Sequence, residues 1–445
     1  MTKPSPLLGS TVATATVLLV LAAPAAHAVL PAAPGCSDRP GPLTVEEQRL
    51  PLAMPQEILR RSGFDRFAAR FTAVLSTLSR RAAARALVAM EGRRLWRLAV
   101  ARAQGRTPAD GLPRADDRPL YWARLALTAA LRQWQPRFPL SAAERAGLIA
   151  SLYRASRGHD SIGFPAGPGV RRILVTGFDP FLLDDDIRHS NPSGSAALAL
   201  DGTVLDTPAG PARVEAAMFP VLWRPFAQGM VEDTLLPYLL AGPRRADMVV
   251  TVSQGRPARF DLERWNGRWH TFIDNDGETR HATIPIRAGV PTVLPPPEFV
   301  PTTLPYLPIV AGNPGPFPIF DQTAVTEIPA GGTAPALAPD GPTPGSIARA
   351  GGGGSYLSNE IAYRTTLLRD AVGADIPAGH LHVPVLDFGP GNVTDLTDPV
   401  FEQNRLAILD QTRAILAVAA ATPAGAGPGG WPAGARHRGR AGSAR

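Results

Sequence analysis

From residue 170 onward, short apolar runs alternate with helical segments, and this alternation constrains the fold more than any other feature of the chain. The runs are typical of buried strands that enter loops: VRRILVTGF at 170–178, ADMVVTVSQG at 246–255 and HLHVPVLDF at 380–388. The helical segments are SAALALDG at 195–202 and FEQNRLAILDQTRAILAVAAA at 401–421. Such alternation predicts an α/β protein with a layered sheet, in which functional sites gather at strand ends.

Residues 44–158 predict a separate all-α region, because their apolar residues recur at three- and four-residue spacings with Arg between them. The expected product is a small bundle of about four helices. We expect breaks at Pro55, at the turn near 105–108 and at 136–139. Ser141 and Glu144 form a capping box for the last helix.

Between roughly 285 and 354, Pro and Gly are too dense for a long strand ladder or helix, so we expect an extended surface insertion. The basic segment 422–445 is predicted to be a disordered tail.

The first 28 residues are typical of a secretory signal peptide, with Lys3, an apolar run over 12–23 and a small-residue cleavage site at 26–28. Export follows as an expectation, and 29–43 would be a linker. Cys36 is the only cysteine, so no intramolecular disulfide can form. It is either an incidental linker thiol or a lipid attachment site, and its distance from the apolar run favours the first. No later segment has the apolar length of a spanning helix.

Charge divides the chain in two. Residues 42–160 carry 21 Arg against 10 acidic residues, a net charge of +11, whereas 161–421 carry 18 against 27, a net charge of −9. The basic region could bind the acidic one, an anionic cell envelope or nucleic acid. Export makes nucleic acid the least expected of the three partners.

Six local segments contain the candidate functional residues, although each segment alone has an ordinary structural explanation. They are ILVTGFDPF at 173–181, NPS at 191–193, FDLERW at 260–265, PTTLP at 301–305, GGSYLSNE at 353–360 and AGHLHVP at 378–384. In this order they resemble the pyroglutamyl peptidase I (pyrrolidone-carboxylate peptidase) family. The resemblance implies a three-layer α/β/α domain over about 170–421 and no metal or organic cofactor.

The resemblance also implies a catalytic triad of Glu263, Ser358 and His382. Ser358 stands where the family has its nucleophilic cysteine, and His382, rather than His380, matches the catalytic histidine. In such a triad the imidazole takes the proton of the nucleophile and returns it to the leaving amine, while the carboxylate orients the imidazole. A serine hydroxyl is far less acidic than a thiol, so it must be deprotonated as it attacks.

A pocket for the lactam ring of an N-terminal pyroglutamate is implied as well. Its expected walls are Phe178, Phe181, Tyr356 and Leu357, its polar contact lies near Gln254, and Asn191 would hold the loop. The chain departs from the family pattern in a longer link between GFDPF and NPS, a shorter glutamine loop, and Glu360 where the family often has His.

Three functions stay open from the sequence. The first is an exported hydrolase that removes N-terminal pyroglutamate from peptides by a Ser-His-Glu triad. The second is an inactive relative that binds pyroglutamyl peptides or the envelope. The third places the function in the basic helical region, as a module that binds an anionic polymer or a partner protein.

Overall fold

The computed structural model describes residues 41–108, 111–165 and 169–422. The predicted signal peptide, Cys36, most of the linker and the tail beyond residue 422 lie outside them. Within the described residues, no helix combines the length and apolar character needed to cross a membrane.

The described chain forms helices first and then alternates strands with helices. The helices are α1 (Val45–Gln48), α2 (Ala53–Ser62), α3 (Phe64–Thr77), α4 (Arg81–Ala103), α5 (Arg118–Gln133), α6 (Ala142–Ala155), α7 (Pro192–Leu200), α8 (Trp223–Ala227), α9 (Met230–Leu239), α10 (Tyr306–Gly312), α11 (Leu357–Ala371) and α12 (Pro399–Ala421). The strands are β1 (Arg171–Phe178), β2 (Val204–Leu205), β3 (Ala212–Phe219), β4 (Met248–Gln254), β5 (Phe260–Glu263), β6 (Trp265–Gly267), β7 (Trp269–Ile273), β8 (Thr279–Thr283), β9 (Phe299–Pro301), β10 (Ile319–Gln322), β11 (Val325–Ile328), β12 (Ala336–Ala338), β13 (Ile347–Ala350) and β14 (Ala378–Val383).

The all-helical region contains more and shorter helices than the apolar spacing predicts. Pro55 does not break a helix, because it lies in the first turn of α2, where an absent N–H is tolerated. The long apolar pattern after Gly63 is instead divided between α3 and α4 by an extended backbone at Leu78. The breaks near 105–108 and 136–139 and the capping box of Ser141 with Glu144 are confirmed.

A seven-stranded mixed sheet forms the centre of the α/β region, in the order β10-β5-β14-β4-β1-β3-β2. β3, β1, β4 and β14 are mutually parallel, whereas β5 runs antiparallel to β14 and β2 antiparallel to β3. Ile173 and Val175 of β1 belong to the core cluster that includes residues of α7 and α12, and Leu174 belongs to the cluster that includes residues of α9 and α11. Helices therefore cover both faces, which makes three layers.

β3, which pairs with β1 along its whole length, is not recognisable from the local sequence pattern. Its sequence ARVEAAMF has Arg213 and Glu215 where a buried strand would continue its apolar run. These two side chains form an ion pair near the sheet edge, with Arg213 Nη2 2.7 Å from Glu215 Oε1. Pairing with β1 therefore stabilises β3 as a strand, although the sequence of β3 does not have the apolar pattern of a buried strand.

The Pro/Gly-rich segment is more ordered than its composition suggests. β11, β12 and β13 form a small antiparallel sheet, and β10 pairs in parallel with β5 at the edge of the main sheet. Each of these strands has only three or four residues, which agrees with the expectation that no long ladder forms there.

Buried ion pairs join the helical region to the sheet. Arg124 of α5 and Arg157, two residues after α6, both bind the carboxylate of Asp179 in the GFDPF segment, at 2.7 and 2.5 Å, and all three side chains are fully buried. Burial alone would raise the pKa of Asp179, but the two guanidinium groups lower it below its usual value. Part of the basic charge of the helical region is thus neutralised within the protein.

The long link between GFDPF and NPS forms a second part of this junction. Asp184 pairs with Arg49 at 2.7 Å, and Arg118 donates to the carbonyl of Arg188 at 2.7 Å. Asp117, at the start of α5, accepts from the backbone N–H of Asn191 at 3.0 Å. Residues between Phe181 and Asn191 therefore contact the helical region.

Candidate active site

The centre of the candidate site is a pair formed by His382 and Glu263. His382 lies one residue before the end of β14, and Glu263 is the last residue of the neighbouring strand β5. The imidazole Nδ1 lies 2.6 Å from Glu263 Oε1, and both side chains are buried. The Nε2 atom makes no hydrogen bond to any described residue, so the pair leaves one ring nitrogen free for proton transfer.

The neighbouring His380 has a different environment. Its two ring nitrogens bond to the hydroxyls of Thr251 and Ser253 at 2.7 and 2.8 Å inside the sheet. Burial, together with the charge of His382, lowers the pKa of His380 well below its ordinary value. His380 is thus a satisfied, neutral core histidine, which agrees with the choice of His382 as the candidate base.

Glycines allow the backbone to pack directly against this pair. A Cβ at Gly353 would lie 2.7 Å from His382 Cε1, and one at Gly255 would lie 2.6 Å from His382 Cβ. A Cβ at Gly352 would lie 2.4 Å from Glu263 Oε2. Part of the Gly run is therefore required by contact with the site and does not act as a flexible linker.

Gly353→Ala is expected to destabilise the protein by about 1–3 kcal/mol, because the added methyl group must displace the His382 ring. Urea unfolding would measure this loss. Gly147→Ala is the matched control, since nothing lies within 4 Å of its Cβ position on α6. The control should gain about 0.5–1 kcal/mol, and a Gly353→Ala protein as stable as wild type would contradict the close packing.

Ser358 is the second residue of α11, close to the pair but not bonded to it. Its Oγ donates to the carbonyl of Gly353 at 3.4 Å, and it forms no hydrogen bond with His382. Gly353 thus touches both Ser358 and His382. The backbone N–H groups of Leu357, Ser358 and Asn359 have no hydrogen-bond acceptor among the described residues, as expected for the first turn of a helix. They form a positive helix end beside the hydroxyl.

Asn359 and Glu360, which directly follow Ser358, hold the start of α11 in place. The amide of Asn359 binds both the N–H and the carbonyl of Gly267, at 2.9 and 2.7 Å. Glu360 binds His270 Nδ1 at 2.6 Å and Arg364 Nε at 2.8 Å, and all three are buried. Burial would raise the pKa of Glu360, but Arg364 and His270 lower it. Glu360 therefore forms a buried network with Arg364 and His270 at the start of α11.

An aromatic cluster surrounds Tyr356, immediately before α11. Its ring centroid lies 6.3 Å from that of Phe181, 5.3 Å from that of Trp223 and 5.4 Å from that of Phe272. Its hydroxyl donates to the carbonyl of Ile273 at 2.8 Å. The predicted wall residues Phe181 and Tyr356 are thus brought together.

The other predicted pocket residues have different positions. Phe178 and Leu357 are buried in the core, with exposed fractions of 3% and 1%. Asn191 caps α7 and donates to the carbonyl of Asp179 at 2.9 Å, so it holds the GFDPF loop. Gln254 ends β4, and its Oε1 is buried without a partner, which leaves an acceptor free at the same sheet edge as His382.

Trp223 and Phe272 were not predicted from the sequence. Phe272 belongs to the hairpin of β7 and β8, whose Asp274-Asn275-Asp276-Gly277 turn is a recognisable hairpin signal. The sequence could have predicted this turn, but it could not have predicted the contact of Phe272 with Tyr356. A cavity lined by Arg171, Asp247 and Met248 lies at the amino ends of β1 and β4, the opposite edge of the sheet from His382.

Fold and site together define an α/β protein with a buried histidine–carboxylate pair at the carboxyl edge of its parallel strands. The chain belongs to the PA0049 family: the PA0049 N-terminal domain matches residues 25–153, and the PA0049 C-terminal domain matches 172–315 and 317–387. It is 36% identical over 502 aligned positions to the uncharacterized protein PA0049 of Pseudomonas aeruginosa, covering 87% of this chain and 91% of that protein.

Solved structures with a partial likeness include a mutant pyrrolidone carboxyl peptidase from Pyrococcus furiosus and the pyroglutamyl peptidase I of Bacillus amyloliquefaciens. The first is 23% identical and covers 56% of this chain and 98% of its own, with a TM-score of 0.36. The second is 19% identical and covers 56% and 93%, also with a TM-score of 0.36.

Proposed function

We propose that this protein is a hydrolase that removes N-terminal pyroglutamyl residues from peptides, with Ser358 as nucleophile, His382 as general base and acid, and Glu263 as the group that orients His382. The observation that carries the proposal is the 2.6 Å pair of His382 Nδ1 and Glu263 Oε1, whose free Nε2 belongs to a ring that touches Gly353 beside Ser358. The motif order of the chain supports the same roles.

The proposed reaction has two halves, formation of an acyl-enzyme on Ser358 and its hydrolysis. Ser358 Oγ attacks the pyroglutamyl carbonyl while its proton passes to His382 Nε2, and Glu263 stabilises the imidazolium that forms. The N–H groups at the start of α11 stabilise the negative oxygen. The imidazolium then protonates the leaving amine, and a water molecule, deprotonated by His382, releases pyroglutamate and restores Ser358.

Release of a fluorogenic amine from a pyroglutamyl amide tests the proposal. The wild-type chain from residue 29 should turn over the substrate, and Ser358→Ala should lower kcat by at least about 10³-fold. Ser358→Cys would keep a nucleophile and make hydrolysis sensitive to thiol alkylation, whereas alkylation should leave the wild type active. A wild type no faster than Ser358→Ala would refute the proposal.

A second candidate is a non-catalytic protein that binds pyroglutamyl peptides. It is favoured by one observation, the bond of Ser358 Oγ to Gly353 O in place of His382. Catalytic hydrogen bonds are often long without substrate, so we rank this candidate second. Calorimetry with a pyroglutamyl peptide would then show binding, with no product formed over the same period.

Export and envelope contact are further proposals that rest on the sequence. Arg85, Arg93 and Arg97 of α4 are exposed and could contact an anionic surface. The arginines that bind Asp179 are engaged inside the protein and could not serve in that way.

A further inference from the structure

Phe272 has an unusual backbone conformation for a large side chain. Its φ is +113°, in the region that favours glycine, and the residue is 52% exposed although its ring contacts Tyr356. Its carbonyl accepts from the Trp223 indole at 3.2 Å. Such a conformation persists only where the surrounding contacts fix it, and it is found most often at binding sites.

Contacts from the α/β region fix the turn that follows Phe272. The carboxylate of Asp274 accepts from the backbone N–H of Trp223 at 2.8 Å and from that of Glu278 at 2.8 Å. The N–H of Asn275 donates to the carbonyl of Val221 at 3.0 Å. These bonds position one side of the turn.

Glu46, in the short helix α1, fixes the other side. Its Oε1 accepts from the Asn275 amide at 3.0 Å and from the Tyr121 hydroxyl at 2.9 Å. The same Asn275 amide donates to the carbonyl of Pro180 at 2.9 Å, and the N–H of Glu46 donates to Asp276 at 3.0 Å. Glu46 therefore links the helical region to the hairpin turn and to the residue that precedes Phe181.

This link has an energetic cost, which argues against a merely incidental contact. Glu46 is 0% exposed, and its Oε2 has no hydrogen-bond partner. Burial first, and then the charges of Asp276 and Asp179, raise its pKa to about 7, while Asn275 and Arg157 act in the opposite direction. A well-packed apolar residue would avoid this cost, but it could not accept the bond from Asn275.

We propose that Glu46 is a positioning residue for the candidate pocket: through Asn275 it holds Phe272 and Phe181 against Tyr356. The helical region then completes the substrate-binding surface and is more than an appended module. This inference rests on the proposed function for the identity of the substrate, whereas the positioning itself can be measured without turnover.

The test compares Glu46→Leu with Glu46→Gln, which keeps the acceptor oxygen. Amide hydrogen exchange over residues 269–278 should be about tenfold faster in Glu46→Leu and unchanged in Glu46→Gln. KM for a pyroglutamyl amide should rise about five- to tenfold in Glu46→Leu, with kcat within about twofold of wild type. Asn275→Ala, made from the other side of the contact, should reproduce the result if Glu46→Leu folds poorly.

Glu91→Leu is the matched control, because Glu91 is a buried glutamate of the helical region that pairs with Arg70 and does not contact the hairpin. Unchanged exchange in Glu46→Leu, or equal acceleration in Glu91→Leu, would overturn the inference. A wild type without turnover would sink the proposed function instead, and faster exchange restricted to Glu46→Leu and Asn275→Ala would still support the positioning role.

Discussion

Replacing His382 with alanine is expected to lower kcat for a pyroglutamyl amide by about 10³-fold or more, with little change in KM. Among the residues that the structure describes, the imidazole of His382 is the group beside Ser358 that could transfer a proton, and the loss of a triad base has effects of this size. Since the His382 ring is not part of the aromatic cluster around Tyr356, substrate binding should persist. Initial rates over a range of substrate concentrations would separate the two parameters.

His281→Ala is the control for this change, because His281 is exposed on β8. It should retain wild-type kcat. Circular dichroism must show that the His382→Ala protein is folded, since its ring packs between Gly255 and Gly353. A folded His382→Ala protein with kcat within tenfold of the wild type would exclude His382 as the base.

Asp179→Asn is expected to destabilise the protein by about 3–5 kcal/mol, because it leaves the guanidinium groups of Arg124 and Arg157 buried without a counter-charge. The substitution keeps the shape of the side chain, so lost charge rather than lost packing causes the change. Urea unfolding monitored by tryptophan fluorescence would measure it. Activity should fall as well, since Asp179 lies in the loop that carries Phe181.

Asp185→Asn provides the comparison, because Asp185 lies in the same loop with an exposed side chain and no ion pair among the described residues. Its free energy of unfolding should stay within about 0.5 kcal/mol of wild type. A loss below about 1 kcal/mol for Asp179→Asn would mean that the buried cluster does not hold the helical region to the sheet.

Local patterns predicted much of the fold. The apolar runs gave β1, β4 and β14 within two residues at their starts, and the capping box gave the start of α6. The same patterns missed β3 and did not predict the break between α3 and α4. β3 depends on pairing with β1, which lies elsewhere in the chain, and a continuous helical pattern does not reveal an extended residue at Leu78.

The candidate site was predictable in its residue types but not in its geometry. Motif order selected Glu263 and His382, which the structure joins at 2.6 Å. It could not show that Ser358 Oγ bonds to Gly353, nor that Phe178 and Leu357 are buried behind the aromatic cluster. The exposure of a side chain depends on which elements cover it, and that information is not local.

The sequence by itself determined the alternation of strands and helices, the basic character of the first region and the chemical groups available for catalysis, because these depend on composition and on spacing along the chain. Only the tertiary structure decided that the basic region is joined to the sheet through Asp179 and to the turn between β7 and β8 through Glu46. The contacts of Arg124 with Asp179 and of Glu46 with Asn275 connect residues more than fifty positions apart in the sequence. Their energy depends on burial and on the charges around them, which exist only in the folded protein.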